Sequence, residues 1–346
     1  RVLIMDNPFI GLDAPTRELL FSLLDRLTKM SSVQIILVLS MLDDIPSFIT
    51  HVIPVDKMEV FPKMEREVYL DAFRSRDTVV PFDDLQQRII DLPYNGNNYD
   101  ADEVVKLNKV SIRYGDRTIL KELDWTVHRG EKWALSGENG AGKTTLLKCL
   151  LGLLRYKGTV TLDGEPITGK NIHRLSFATC EHSFFPGLTA SDHRQFYETH
   201  FPTFRGERFR ALMEFFELPS GRCIQHFSTG QKNQFEVILA LSQGADYILM
   251  DEPFAGNDVF NREDFYKVLL GILEPQETVI LSTHLLEEVQ NFIGRAVLIR
   301  QGKIVGDMSM EALEEQGKDL MTYVKETYHY RADRVSQALN SLTGEE

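Results

Sequence analysis

The sequence has no run of about 20 uninterrupted apolar residues, so no part of it can cross a bilayer as a helix. It has no basic excess either: Lys and Arg number 38 against 51 Asp and Glu, a net charge of -13. That balance argues against broad nucleic-acid binding, which leaves a positive footprint on a chain, and no direct nucleic-acid partner is expected. Cysteine is scarce. Cys149, Cys180 and Cys223 show no metal-ligand spacing, and an odd count without pairs suits a reducing compartment in which they act as small buried hydrophobes. The opening Arg1-Val2-Leu3-Ile4-Met5-Asp6 has no initiator methionine and none of the regions of a secretory leader, and it reads as an internal segment. What remains is ordinary for a globular chain: 43% hydrophobic and 26% charged among 346 residues, length enough for two domains.

Along the chain, Val2–Asp6 is an apolar run ending in an acid. Residues 15–29 carry leucines 19, 20, 23, 24 and 27 on one helical face, with Pro15 suited to the first turn. Residues 33–39 read as a buried strand, and a further short strand is expected near residues 51–55. The polar stretch 75–102 is expected to be a linker with one helical turn near residues 83–90. Strands follow at residues 104–112, 118–123 and 131–136, a helix at 144–154 and a strand at 158–162. From Ala190 to Cys223 the pattern is helical, with Phe196, Leu212, Phe215 and Phe216 expected in the core. Beyond Gln231 helices alternate with strands at residues 247–251 and 278–282, and the tail 308–346 reads as short helices. Such alternation predicts an α/β fold with a parallel sheet between helices.

One internal repeat stands out. Leu3-Ile4-Met5-Asp6-Asn7-Pro8-Phe9 parallels Ile248-Leu249-Met250-Asp251-Glu252-Pro253-Phe254, and the spacing to the next buried strand is similar.

Gly137-Glu138-Asn139-Gly140-Ala141-Gly142-Lys143-Thr144 fits the phosphate-loop pattern without a mismatch, between a predicted strand and a predicted helix. Its glycines let backbone N–H groups turn in around phosphate oxygens, and the helix N-terminus adds a positive dipole end. Lys143 can reach the β- and γ-phosphates and Thr144 can offer its hydroxyl to Mg²⁺. Asp251 ends an apolar strand, where a metal-binding carboxylate belongs, and Glu252 is the natural base for an attacking water. His284 ends the next strand at the sheet edge where ligands bind in such folds.

Together with Phe227-Ser228-Thr229-Gly230-Gln231 and Ser282-Thr283-His284, these motifs resemble the nucleotide-binding domain of ATP-binding cassette (ABC) proteins over about residues 103–305. The resemblance implies a P-loop ATPase core sheet with an antiparallel β part and a helical subdomain near 185–226, with ATP and Mg²⁺ as cofactors. It implies that Tyr114 stacks on adenine and that Gly137, Asn139, Gly140, Gly142, Lys143, Thr144 and Thr145 hold the nucleotide. It further implies that Ser228, Gly230 and Gln231 contact ATP held by an opposite domain, that residues 255–258 cross the dimer interface, and that His284 contacts the γ-phosphate. Lys143, Glu252 and His284 are the expected catalytic set; Thr144, Asp251 and Glu181 are the expected metal contacts. The expected partners are a second cassette, as homodimer or missing sister domain, and a membrane permease, with the chain cytoplasmic or peripheral at the inner face of the plasma membrane.

The sequence also departs from the family. Where the family usually has Gln, the stretch is Ala178-Thr179-Cys180-Glu181-His182-Ser183, with Glu181 as the stand-in. At the N-terminus Asp6 matches the strand-end acid, but Asn7 replaces the catalytic Glu and Ser40 the His. Residues 1–74 therefore resemble the end of a degenerate first cassette, 75–102 a linker, 103–305 a complete cassette and 306–346 a helical tail. Two subgroups fit: the N-terminal third resembles tandem soluble cassettes, which can act as ATP-driven switches on a ribosome or DNA-repair complex, and residues 145–346 resemble ATPase subunits of simple bacterial exporters.

Overall fold

A computed structural model describes residues 2–9, 12, 14–30, 33–39, 45–56, 59–74, 92, 103–253, 266, 268–269, 271–283 and 286–328. The described residues fall into two compact units, one within residues 1–83 and the other within 84–257 and 261–330.

In the first unit, strands β1 (Val2–Asp6) and β2 (Gln34–Val38) pair in parallel, Val2 opposite Gln34 and Asp6 opposite Val38. Helix α1 (Ala14–Met30) joins them, as its leucine stripe predicts. Leu24 and Phe9 are buried, and the rings of Phe9 and Phe21 pack at 4.4 Å. The strand expected near residues 51–55 is two strands of two residues each, β3 (His51–Val52) and β4 (Val55–Asp56). Pro54 stands between them, and a proline cannot donate to a ladder. β4 turns back on β5 (Glu59–Val60), β3 pairs with β6 (Met64–Glu65), and α2 (Arg66–Arg74) follows.

The second unit opens with a hairpin of two twelve-residue strands, β7 (Glu103–Tyr114) and β8 (Arg117–His128). Both outrun the expected strands, because the ladder slips register at several points and so interrupts the period-two pattern. Gly115 takes φ +55° at the turn, a conformation glycine adopts without steric cost. β10 (Lys157–Leu162) and β11 (Glu165–Pro166) complete an antiparallel sheet in the order β11-β10-β7-β8.

The core sheet has six strands in the order β12 (Leu175–Thr179), β13 (Tyr247–Asp251), β14 (Thr278–Ser282), β9 (Lys132–Gly137), β15 (Arg295–Arg300) and β16 (Lys303–Ser309). All neighbours are parallel except β15 and β16. Successive side chains on a strand point to opposite faces, so each buried strand feeds two cores. Ile248, Met250, Val279 and Leu281 pack in the cluster that includes Phe235 and Ile238 of α6 (Thr229–Ser242). Tyr247, Leu249 and Ile280 pack in the one that includes the β7–β8 hairpin and α3 (Lys143–Leu150). Each such side chain contributes roughly 1.5–3 kcal/mol by leaving water, which is why uninterrupted apolar runs form these strands.

The helical region contains α4 (Ala190–His200) and α5 (Gly206–Phe215). Leu212 is fully buried as expected, but Phe215 and Phe216 are only partly covered and Phe196 is 36% exposed. Phe196 lies on the outer face of α4, stacked on His200 at 4.1 Å, rather than in the core. The first residues of the expected helical tail are strand, since β16 runs to Ser309 before α7 (Met310–Glu315) and α8 (Leu320–Thr327). The expected turn at 83–90, and much of the stretch between the strands at 247–251 and 278–282 where a helix is expected, lie outside the described residues. Among the described residues no helix is long and apolar enough to cross a membrane.

Candidate functional site

The parallel strands bring the predicted chemistry to one edge. Register places Thr179 beside Asp251 and Asp251 beside Ser282, so the C-terminal ends of β12, β13 and β14 align with the end of β9. The loop Gly137–Thr144 leaves β9 there and opens α3.

Two glycines of that loop have no substitute. A Cβ on Gly137 would lie 2.4 Å from the carbonyl oxygen of Ile299. Gly142 caps α3 at φ +110°, and a Cβ there would lie 2.8 Å from Leu120. The loop is therefore wedged between β15 and β8.

Lys143 is the first residue of α3 and is buried. Its Nζ donates to Gly137 O at 2.8 Å and stands 3.9 Å from a carboxylate oxygen of Glu252. Thr144 donates its hydroxyl to Asp251 Oδ2 at 2.7 Å. Asp251 is 3% exposed, and its other oxygen accepts from Ser282 Oγ at 2.5 Å. Two oxygen donors on adjacent elements thus meet beside the ammonium. This hard-oxygen pair suits a small divalent cation such as Mg²⁺.

Glu252 leaves the strand in the left-handed region, at φ +47°. Its N–H donates to Ser282 O at 3.0 Å and lies 3.1 Å from Ser282 Oγ. A non-glycine residue there costs roughly 1–3 kcal/mol and persists only where surrounding bonds enforce it; here Ser282 does so. Ser282 thus orients both acids. It was missed as a site residue because its role depends on strand register, and the only signal for it was its place in the Ser282-Thr283-His284 motif.

Tyr114 is 55% exposed at the end of β7, with its ring available to a flat partner. Ser228 caps α6 in a reciprocal box: its Oγ accepts from Gln231 N at 3.2 Å and Gln231 Oε1 accepts from Ser228 N at 3.0 Å. Gly230 lies in the first turn, so the three signature residues form the cap and first turn of a fourteen-residue helix, with Ser228 exposed and Gly230 and Gln231 half-buried. Asn139, Gly140 and Thr145 lie in the loop and first turn of α3 as expected. His284 and residues 255–258 lie outside the described residues.

Glu181 is the expected stand-in metal contact in the loop after β12. Its carboxylate pairs with Lys148 at 2.8 Å. Lys148 lies one helical turn beyond Thr144 on α3, so an opposite charge ties Glu181 to that helix. The loop that carries Glu181 is tied to α6 by two contacts that sequence reading did not find. Ser183 donates its N–H and hydroxyl to buried Glu236, the hydroxyl at 2.6 Å, and His182 Nε2 meets Asn233 Oδ1 at 2.8 Å. Burial raises the Glu236 carboxyl above its usual range, and the bonds from Ser183 oppose that rise. Both contacts link positions 51 to 53 residues apart, beyond any local pattern.

Cys149 is buried, and burial pushes its thiol up to about 12, as befits a packing residue. A groove of about 520 Å³ lies away from this edge, lined by Lys106, Asp124, Trp125, Arg295 and Asp307 among others. None of the predicted site residues is among those that line it.

Comparison with known proteins agrees with this geometry. A family model described as ABC transporter matches residues 120–255. An uncharacterised ABC transporter ATP-binding protein of Schizosaccharomyces pombe is 25% identical over 324 residues, which cover 88% of this chain and 65% of that relative. The chain thus spans less than two thirds of that relative's length. The SkfA peptide export ATP-binding protein SkfE of Bacillus subtilis is 30% identical, over 62% of this chain and 93% of its own length. A Nod factor export ATP-binding protein I of Burkholderia orbicola is 30% identical, over 61% of this chain and 72% of its own. Among solved structures, an ATP-binding subunit of an ABC transporter superposes with a TM-score of 0.58 at 23% identity, covering 65% of this chain and 99% of that one.

Proposed function

We propose, because this chain belongs to the ABC transporter ATP-binding family, that it binds Mg-ATP at the Gly137–Thr144 loop, hydrolyses it in a head-to-tail pair of cassettes, and powers transport through a separate membrane permease. The observation that carries the reading is the convergence of Thr144 Oγ1 on Asp251 Oδ2 at 2.7 Å with Lys143 Nζ 3.9 Å from Glu252. Acceptor, cation and candidate base stand together where a phosphate chain would end. Thr144 and Asp251 would hold the Mg²⁺, while Glu181 stays with Lys148. The ion supplies charge neutralisation at the phosphoryl oxygens when bound.

The remaining roles belong to side chains of the protein. Lys143 draws the terminal phosphates into the loop. Glu252 orients the attacking water and takes its proton. Tyr114 stacks on adenine and His284 contacts the γ-phosphate. Ser228, Gly230 and Gln231 present a helix N-terminus to ATP held by the opposite cassette. The names of the Bacillus and Burkholderia relatives, peptide and Nod factor export, favour an exporter working from the inner face of the plasma membrane.

The finer organisation is a tandem one: the end of a first, degenerate cassette at residues 1–74, a linker at 75–102, the working cassette at 103–305 and a tail at 306–346. Its main support is a local repeat of backbone geometry. Asn7 has φ +45° and donates its N–H to Val38 O at 2.8 Å; Glu252 has φ +47° and donates to Ser282 O at 3.0 Å. Each residue follows an acid that ends a strand in a parallel pair. Asn7 cannot serve as a base, since an amide does not take up a proton near neutrality. The 88% span matched by the Schizosaccharomyces relative also supports a chain homologous beyond its central cassette. Tandem layouts favour the second reading, a soluble ATP-driven switch on a macromolecular partner.

Capture from cells separates the two readings. Tagged Glu252→Gln protein, loaded with ATP and drawn from gently solubilised cells, is expected to retain an integral membrane protein. Recovery of ribosomes or soluble proteins alone would replace transport with the switch.

A further inference from the structure

Arg117 is the first residue of β8 and pairs across the hairpin with Tyr114. Its side chain is directed at the phosphate loop: Nη2 lies 4.0 Å from the point where a side chain on Gly140 would begin. This placement is built into the fold. Lys121 donates its N–H to Gly302 O at 2.8 Å, and Gly302 in turn donates to Ala141 O at 3.2 Å. Gly302 has φ +77°, and a Cβ there would lie 2.0 Å from Ile119 O. The start of β8 is thus fastened to the loop through one glycine that admits no side chain.

The guanidinium is exposed and, among the described residues, makes no hydrogen bond or ion pair. The nearest acid in sequence, Asp116, is held by Arg113 at 3.2 Å, and Arg113 also donates to Gly115 O at 2.6 Å. A planar fork of donors, always charged, therefore faces the middle of a loop built for phosphate. Such a fork matches phosphate oxygens in a two-point geometry that lysine cannot offer.

We infer that Arg117 is a nucleotide-binding residue that holds the α- or β-phosphate of ATP, between the adenine platform of Tyr114 and the ammonium of Lys143. The inference rests on the proposed ATP site. It differs from the role of Lys143, which lies at the opposite end of the loop beside Glu252 and addresses the terminal phosphates.

The test is titration calorimetry of the whole chain with ATP and with ADP at several salt concentrations, for the original protein and for Arg117→Gln. The variant is expected to weaken ATP and ADP by the same factor, about tenfold, as for the loss of an exposed charge-assisted pair. Its dependence of log Kd on log salt is expected to be shallower. The change is on the surface, so thermal unfolding without nucleotide stays the same and excludes misfolding as the cause. ATP and ADP affinities within twofold of the original would overturn the inference. A loss confined to ATP would also overturn it, since only the γ-phosphate distinguishes the two ligands. Failure of the original protein to bind either nucleotide would instead remove the ATP site itself.

Discussion

Replacing Glu252 with glutamine lowers steady-state ATP turnover at least about a hundredfold while nucleotide still binds, the scale expected of a lost general base. The amide keeps the size of the side chain but cannot accept a proton from water. The backbone geometry does not depend on the side chain: both bonds to Ser282 are made by the Glu252 N–H. The fold therefore survives, and the change reads on chemistry alone. Lys143, 3.9 Å away, loses a carboxylate neighbour, so nucleotide affinity is expected to hold or to rise slightly. Turnover within a few-fold of the original protein would show that another group activates the water.

Lys143→Ala acts one step earlier. The ammonium is buried at the start of α3 and donates back to Gly137 O at 2.8 Å, within reach of whatever the loop encloses. Its loss removes charge-assisted bonds to two phosphates, and ATP affinity is expected to fall at least about a hundredfold. Fluorescence or calorimetric titration reads this directly. An affinity close to that of the original protein would break the assignment of the loop. The two variants separate binding from chemistry, since Glu252→Gln keeps ATP bound and Lys143→Ala does not.

Much of this was legible in the sequence, for identifiable reasons. Tyr247–Asp251 and Thr278–Ser282 were found to the residue, because strands buried on both faces read as continuous apolar runs. The phosphate loop was legible because its glycines are steric necessities: Gly137 and Gly142 tolerate no Cβ. The strand Leu175–Thr179 was not seen. It sits at the sheet edge and includes Ser176, a buried polar residue that breaks the apolar pattern. Phe196 misled because an aromatic at helical spacing suggests a core, and only packing reveals which helix face is covered.

The site was legible as a list of residues but not as a geometry. Asp251 and Glu252 are adjacent acids in the sequence. That Ser282 orients both follows from register between strands 31 residues apart. Glu181 occupies the expected position in the chain, yet its partner is Lys148, a choice made by the local charge. The left-handed turns at Asn7 and Glu252 likewise lie beyond residue patterns, since neither asparagine nor glutamate demands that conformation.

In the proposed mechanism two cassettes close on ATP, each completing the other's site with Ser228, Gly230 and Gln231. Sedimentation of the Glu252→Gln protein tests it most directly, because that variant holds ATP without consuming it. With saturating Mg-ATP the chain is expected to sediment as a dimer, and with Mg-ADP as a monomer. A monomer under both conditions, at concentrations where ATP is bound, would contradict the paired-cassette account.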